Sequence, residues 1–149
     1  MKKYFFVFFL FLSFKSNSQC SLSLDEIISL SKYSISEFEN FSLNKGFSYN
    51  SVAKNFVCDV EYQKDANQSL TRILNSNQST TIIYSFFQKS IYLEFKTFLE
   101  RNGKLVDINN DNNVHSLIYL YNQNIFLLQT ATHQKSNVYF IFYSNEQVK

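Results

Sequence analysis

Two stretches of this chain repeat at a fixed spacing, and the repeat restricts the fold more than any other feature. Glu37-Phe38-x-x-Phe41 is followed by Gly46, and Glu94-Phe95-x-x-Phe98 by Gly103. In each copy the glycine stands eight residues after the first Phe, and the copies lie 57 residues apart. The chain has 2 glycines and no proline, so both glycines fall in the repeat. A helix ends readily on a residue in the left-handed region, which glycine enters at little steric cost. Gly46 and Gly103 are therefore expected to be helix caps with positive φ. The same offset carries residues 56–62 onto 113–119, polar 75–79 onto 132–136, and 80–87 onto 137–144. A fixed period of this length marks a duplicated supersecondary unit.

Each unit reads as helix followed by strands. Ser23-x-x-Glu26 and Ser34-x-x-Glu37 fit the capping box, in which the serine oxygen takes a helix amide and the glutamate reaches back. They predict helices over about 23–31 and 34–45, the second with Ile35, Phe38 and Phe41 as its apolar stripe. Its counterpart is about 90–102, with Ile91, Phe95, Phe98 and Leu99 inward. Phe56, Cys58, Val60 and Tyr62 alternate with Val57, Asp59 and Glu61, the period of a strand with one buried face. Residues 68–74, 114–121, 125–131 and 138–143 are further strand candidates, with turns at 122–124 and 132–136. The expected fold is α+β: two tandem helix-plus-antiparallel-sheet units, about 23–87 and 88–145, with the helices on one face of the sheet.

The N-terminus has the three parts of a secretory signal. Lys2 and Lys3 precede an aromatic and aliphatic run over residues 4–14, and Ser16 and Ser18 place small residues at the −3 and −1 positions. The run has eleven residues, against the roughly 20 of a membrane-spanning helix. Cleavage is expected after Ser18, leaving 19–149 as a single domain with no integral membrane span. Lipidation at Cys20 is the competing route, but Gln19 and Asn17 occupy positions where that processing needs a small residue and a leucine-like one. The Asn-, Ser-, Lys- and Ile-rich composition points to an AT-rich bacterial genome. The full chain has 14 Lys+Arg against 12 Asp+Glu. Residues 1–18 hold three of the bases, which leaves 11 against 12, a net of −1. No basic stripe remains to follow a phosphate backbone, so nucleic acid is not an expected partner.

Cys20 and Cys58 are the 2 cysteines. In an oxidising compartment an even count predicts one disulfide. His115 and His133 lack the paired spacing of a zinc site. Asp107-x-Asn109-x-Asp111 begins like a calcium loop, but Asn112 and Ile118 stand where the loop needs Gly and a bidentate Glu. It is read instead as an Asn/Asp-rich turn between strands. No nucleophile–base pair or phosphate loop can be assembled, so no catalytic, cofactor-binding or metal residues and no cofactor are expected.

The tandem arrangement of a short helical pair and an antiparallel sheet resembles the architecture of β-lactamase-inhibitor proteins and other small envelope modules. The resemblance covers most of the chain after residue 18 as a pattern of elements, and it carries over no functional residue. Residues 138–143 are apolar on both faces, while helices on one side of a sheet cover only one. The expected partner surface is Tyr139, Ile141 and Tyr143, joined by Tyr119 and Tyr121, because tyrosine suits a half-wet contact. The alternative is that the two halves pack together and hide these rings. The function expected is an exported, non-enzymatic binding or inhibitory module with a protein partner in the envelope or outside the cell. The other readings are a structural envelope component anchored at Cys20, and a hydrolase without a recognisable motif.

Overall fold

The computed structural model describes residues 20–58, 67–133 and 136–145. The expected secretory signal and cleavage position lie outside these residues, as do Val60 and Tyr62 of the predicted strand.

Both capping boxes form. The Ser23 hydroxyl accepts from the Glu26 amide while Glu26 accepts from the Ser23 amide at 2.8 Å, opening α1 (Leu24–Leu30). Ser34 and Glu37 do the same for α2 (Ile35–Asn44), with the return bond at 2.7 Å. β1 (Ser48–Asn50) and β2 (Asn55–Cys58) follow, then β3 (Gln68–Leu74) and β4 (Thr80–Phe86). α3 (Lys89–Asn102) opens the second half and leads to β5 (Lys104–Asp111), β6 (Val114–Tyr121), β7 (Asn124–His133) and β8 (Ser136–Ser144). All eight strands join one antiparallel sheet in the order β1-β2-β3-β4-β8-β7-β6-β5. The fold is therefore mixed α+β.

Strand alternation decides where the core lies. On β4, Ile82, Tyr84 and Phe86 are wholly buried, and on β8 Tyr139, Ile141 and Tyr143 are their ladder partners on the same face. Successive side chains on a strand point to opposite faces, so the residues between them line the other side. The helices lie on the buried side. Tyr92 of α3 packs on Tyr139 at 4.8 Å, Phe38 of α2 meets Phe56 at 5.6 Å, and Ile27 and Leu30 of α1 are wholly buried.

Cys20 and Cys58 are bonded, with Cα atoms 6.2 Å apart. The bond ties the chain ahead of α1 to β2. Around it the Cys20 amide donates to the Lys45 carbonyl at 3.1 Å, and the Tyr84 hydroxyl donates to Gln68 at 2.5 Å. Gln68 and Tyr84 are buried, so this polar group is satisfied internally, and burial pushes the Tyr84 phenol far above its ordinary pKa.

The two glycines play different parts. Gly46 has φ 97°, and the Gly46 and Phe47 amides return to Leu43 and Ser42, closing α2 with the expected left-handed residue. Gly103 also ends its helix, with its amide on Leu99, but at φ −103° and ψ 175° it is extended, which corrects the expectation of positive φ. Space explains the glycine instead. A Cβ there would stand 3.0 Å from the Leu99 carbonyl oxygen and 3.2 Å from that of Leu120, both backbone atoms.

Residues 107–111 need a second correction. They form the exposed edge strand β5, paired with β6, and the turn is Asn112-Asn113. Asp and Asn are poor strand formers, but pairing to a strong neighbour and full exposure override that preference. Asn112 takes φ 47°, as Asn122 and Gln123 take φ 49° and 65° in the next two-residue hairpin, which are the left-handed angles such turns require.

Candidate functional site: the uncovered face of the sheet

Alternation along β8 separates two aromatic sets. Tyr139, Ile141 and Tyr143 are 5%, 0% and 1% exposed, and Tyr119 is 2% exposed. Tyr121 is half-buried against Phe98, at 5.4 Å between ring centres. These five side chains stand on the helix-covered face. The rings expected to form a partner surface are therefore part of the core on this side. Two consequences are visible in their chemistry: burial raises the phenol pKa of both Tyr119 and Tyr143.

The face away from the helices is built from the alternate residues, and the strand registers put them in rows. Ile83 pairs with Phe142, Phe142 with Leu127, and Leu127 with Ile118. Thr71 bounds this row at one end and Asp107 at the other. Four adjacent strands thus contribute four large apolar side chains in line, spanning about 14 Å at ordinary strand spacing. One row along, Phe140 stacks on Phe142 with ring centres 6.1 Å apart. In the row on the other side, Ile125 and Leu120 pair and extend the apolar surface. All of these side chains are half-buried. The flanks are polar. Ser69 and Ser85 share a hydrogen bond at 2.6 Å across β3 and β4, and Gln129 donates to Ser116 at 3.1 Å across β7 and β6.

Among the described residues, the centre of this surface carries apolar and neutral polar side chains. Its titratable side chains lie at the edge, on β5. His115, on the other side of β6, is bonded to Asn110 at 2.5 Å. The side chain of His133 lies outside the description. Among the described residues, no three of His, Cys, Asp and Glu come together as a metal site. No described helix is long and apolar enough to cross a membrane.

The signal for the true open face was present in the sequence. Val138, Phe140 and Phe142 were recognisable as the opposite set, but alternation alone does not say which set faces the helices. No protein family, curated protein or solved structure matches this chain.

Proposed function

We propose that the chain is an exported, non-enzymatic module that captures or inhibits a protein partner through the uncovered face of its sheet. The observation that carries this reading is the row Ile83–Phe142–Leu127–Ile118 on the side away from the described helices. A contiguous apolar patch rimmed by polar residues is the usual mark of an interaction surface. The disulfide is compatible with an oxidising compartment. It also weighs against anchoring at Cys20, since the sulfur that would carry a lipid is bonded to Cys58. Removal of residues 1–18 belongs to the same reading.

The sheet is, on this reading, two copies of one unit joined edge to edge. Each copy is a helix followed by four antiparallel strands. The seam supports the duplication independently of the glycines. Across β4 and β8, Tyr84 pairs with Ile141, and Ile82 and Phe86 pair with Tyr143 and Tyr139. Ile141 lies 57 positions after Tyr84, so the seam is symmetric about the offset that separates Phe38 from Phe95. The inner strands depart from it. Following the ladders outward from the seam makes Phe56 equivalent to Leu117, an offset of 61 that corrects the 56–62 to 113–119 correspondence. Insertions in the loops account for such drift without disturbing the shared plan.

Photo-crosslinking tests the reading. p-Benzoylphenylalanine is placed at Phe142 and, as a control, at the exposed Leu93 of α3, and the protein is irradiated with envelope extract. The expected result is a protein adduct of discrete mass from position 142, none from position 93, and loss of the adduct when Phe140→Ser is added. Absence of an adduct at 142, or equal labelling from both positions, removes the open face as the working surface.

A further inference from the structure

The sheet ends on two edge strands, β1 and β5. β1 has three residues, and a short edge offers another strand little to pair with. β5 runs for eight residues, all exposed, and among the described residues no strand pairs with its outer side. Three of its side chains are apolar: Leu105, Val106 and Ile108 are 43%, 52% and 51% exposed. Its lysine, Lys104, stands at the very start, and the chain has no proline to interrupt the edge. A long exposed edge with apolar side chains is a template for a further strand.

The ladder with β6 fixes which backbone groups point outward. Asp111 and Val114 flank the two-residue turn Asn112-Asn113, so they form a hydrogen-bonded pair. Alternation then turns the amides and carbonyls of Asp111 and Asn109 toward β6, and those of Asn110 and Ile108 away from it. The Ile108 amide agrees with this: it donates to the carboxylate of its neighbour Asp107 at 2.8 Å. The register skips a residue between Leu105 and Asp107, so the regular part of the edge is residues 107–111.

Charge selects the occupant and the register. The strand has Lys104 at its start and Asp107 and Asp111 further on, so an antiparallel copy of itself is complementary end to end. In an antiparallel pair, outward-facing residues must stand opposite outward-facing residues. With Ile108 opposite Ile108, Asp107 meets Asn109, whose side-chain amide can donate, and Lys104 reaches the end that carries Asp111. Sliding the copy by two residues sets Asp107 against Asp107 in one direction and against Asp111 in the other. Both oppose like charges, which is unfavourable across strands. We propose that β5 is a self-pairing edge, at which two copies of this chain join antiparallel about a two-fold axis at Ile108. The Ile108 carbonyl of the second copy replaces the Asp107 carboxylate on the Ile108 amide. The two sheets become one, with both sets of helices on one side and both open faces on the other. The open face stays free, so the pairing stands or falls independently of the proposed capture function.

Sedimentation equilibrium of the oxidised protein is the test. The contact is small, so a dimer Kd on the order of 100 μM is expected. Ile108→Lys and Ile108→Asp each set like charges face to face and should weaken the dimer by about tenfold or more. Mixed in equal amounts, the two variants should associate more tightly than either alone, which also shows that both are folded. Ile108→Cys should give a cross-linked dimer on mild oxidation, because facing Cα atoms of a hydrogen-bonded pair lie about 5.5 Å apart, within disulfide range. Asn110→Cys should not, because it faces Val106. Phe142→Ser should dimerise as the unmodified chain does. A chain that stays monomeric at about 1 mM, tenfold above the expected Kd, overturns the proposal. So does a dimer that Ile108→Lys leaves intact, or a mixture no tighter than the single variants. Loss of the dimer in Phe142→Ser would put association on the open face and overturn it equally.

Discussion

Tyr143 and Phe142 are neighbours of similar size on one strand, and the fold assigns them opposite fates. The Tyr143 ring is 1% exposed and packs at 4.6 Å from Phe126. Burying an aromatic side chain removes about 200 Å² from water, which at about 25 cal/mol per Å² is worth about 5 kcal/mol. Truncation of buried aromatics costs about 3–5 kcal/mol. Tyr143→Ala is therefore expected to cost about 3–5 kcal/mol, a large part of the stability of a small domain with about 5–15 kcal/mol in all. Phe142 keeps part of its ring in water on both sides of the comparison. Phe142→Ala should cost about 1–2 kcal/mol.

Urea denaturation followed by circular dichroism measures both values on one scale. Tyr143→Phe, which removes only the hydroxyl, should fall near 1 kcal/mol and separates the packing of the ring from its hydroxyl. A Phe142→Ala cost equal to that of Tyr143→Ala would refute the reasoning. The face carrying Phe142 would then be as dry as the core, with no open surface to offer a partner.

Three more outcomes follow from the same structure. Replacing Cys20 and Cys58 together by Ala opens a loop with a sequence separation of 38. It should cost about 4 kcal/mol, and an unchanged thermal midpoint would remove the bond from the account of stability. Gly46→Asn should be milder than Gly46→Ala because Asn tolerates a left-handed φ. Gly103→Asn should be no milder than Gly103→Ala because carbonyl oxygens, not φ, exclude the Cβ; equal rescue at both sites would contradict this. Glu26 is partly buried, which raises its pKa, but hydrogen bonds from Lys45 and Ser23 and the nearby Lys45 charge bring it below the ordinary value. Its stabilising contribution is present above the unfolded-state pKa and is lost as pH falls through the folded one. Glu26→Gln should thus weaken the protein at neutral pH and flatten the acid limb of its stability profile, read by urea midpoints from acid to neutral pH.

Local chemistry made parts of the fold legible. Ser23/Glu26 and Ser34/Glu37 form their capping boxes because the motif is self-contained: both partners lie within one turn. The hairpin turn at residues 122–123 was legible for a similar reason. Less of β5 and Gly103 could be read. Asp107, Asn109 and Asp111 oppose strand formation individually, and their strand exists because β6 supplies a ladder from elsewhere in the chain. Gly103 is required by Leu120, which is near in space and not in sequence. Its match to Gly46 is a likeness of position achieved by a different cause.

The orientation of β8 failed to emerge from the sequence for a sharper reason. β8 carries large apolar residues on both sides, so the usual contrast between buried and wet positions is absent from the strand that matters most. A strand with one polar face declares its orientation; Val138–Phe140–Phe142 against Tyr139–Ile141–Tyr143 does not. Tyrosine's affinity for half-wet contacts favoured the second set, and tertiary context reversed it. The seam with β4 decides the question. Tyr84 and Phe86 are wholly buried, and their ladder partners are Ile141 and Tyr139. On β4 the alternate positions are Thr81, Ile83 and Ser85, which do contrast with the core set. Orientation was therefore encoded in β4 and transmitted to β8 by register. Reading it required the pairing of two segments 57 residues apart, the separation that also divides Phe38 from Phe95.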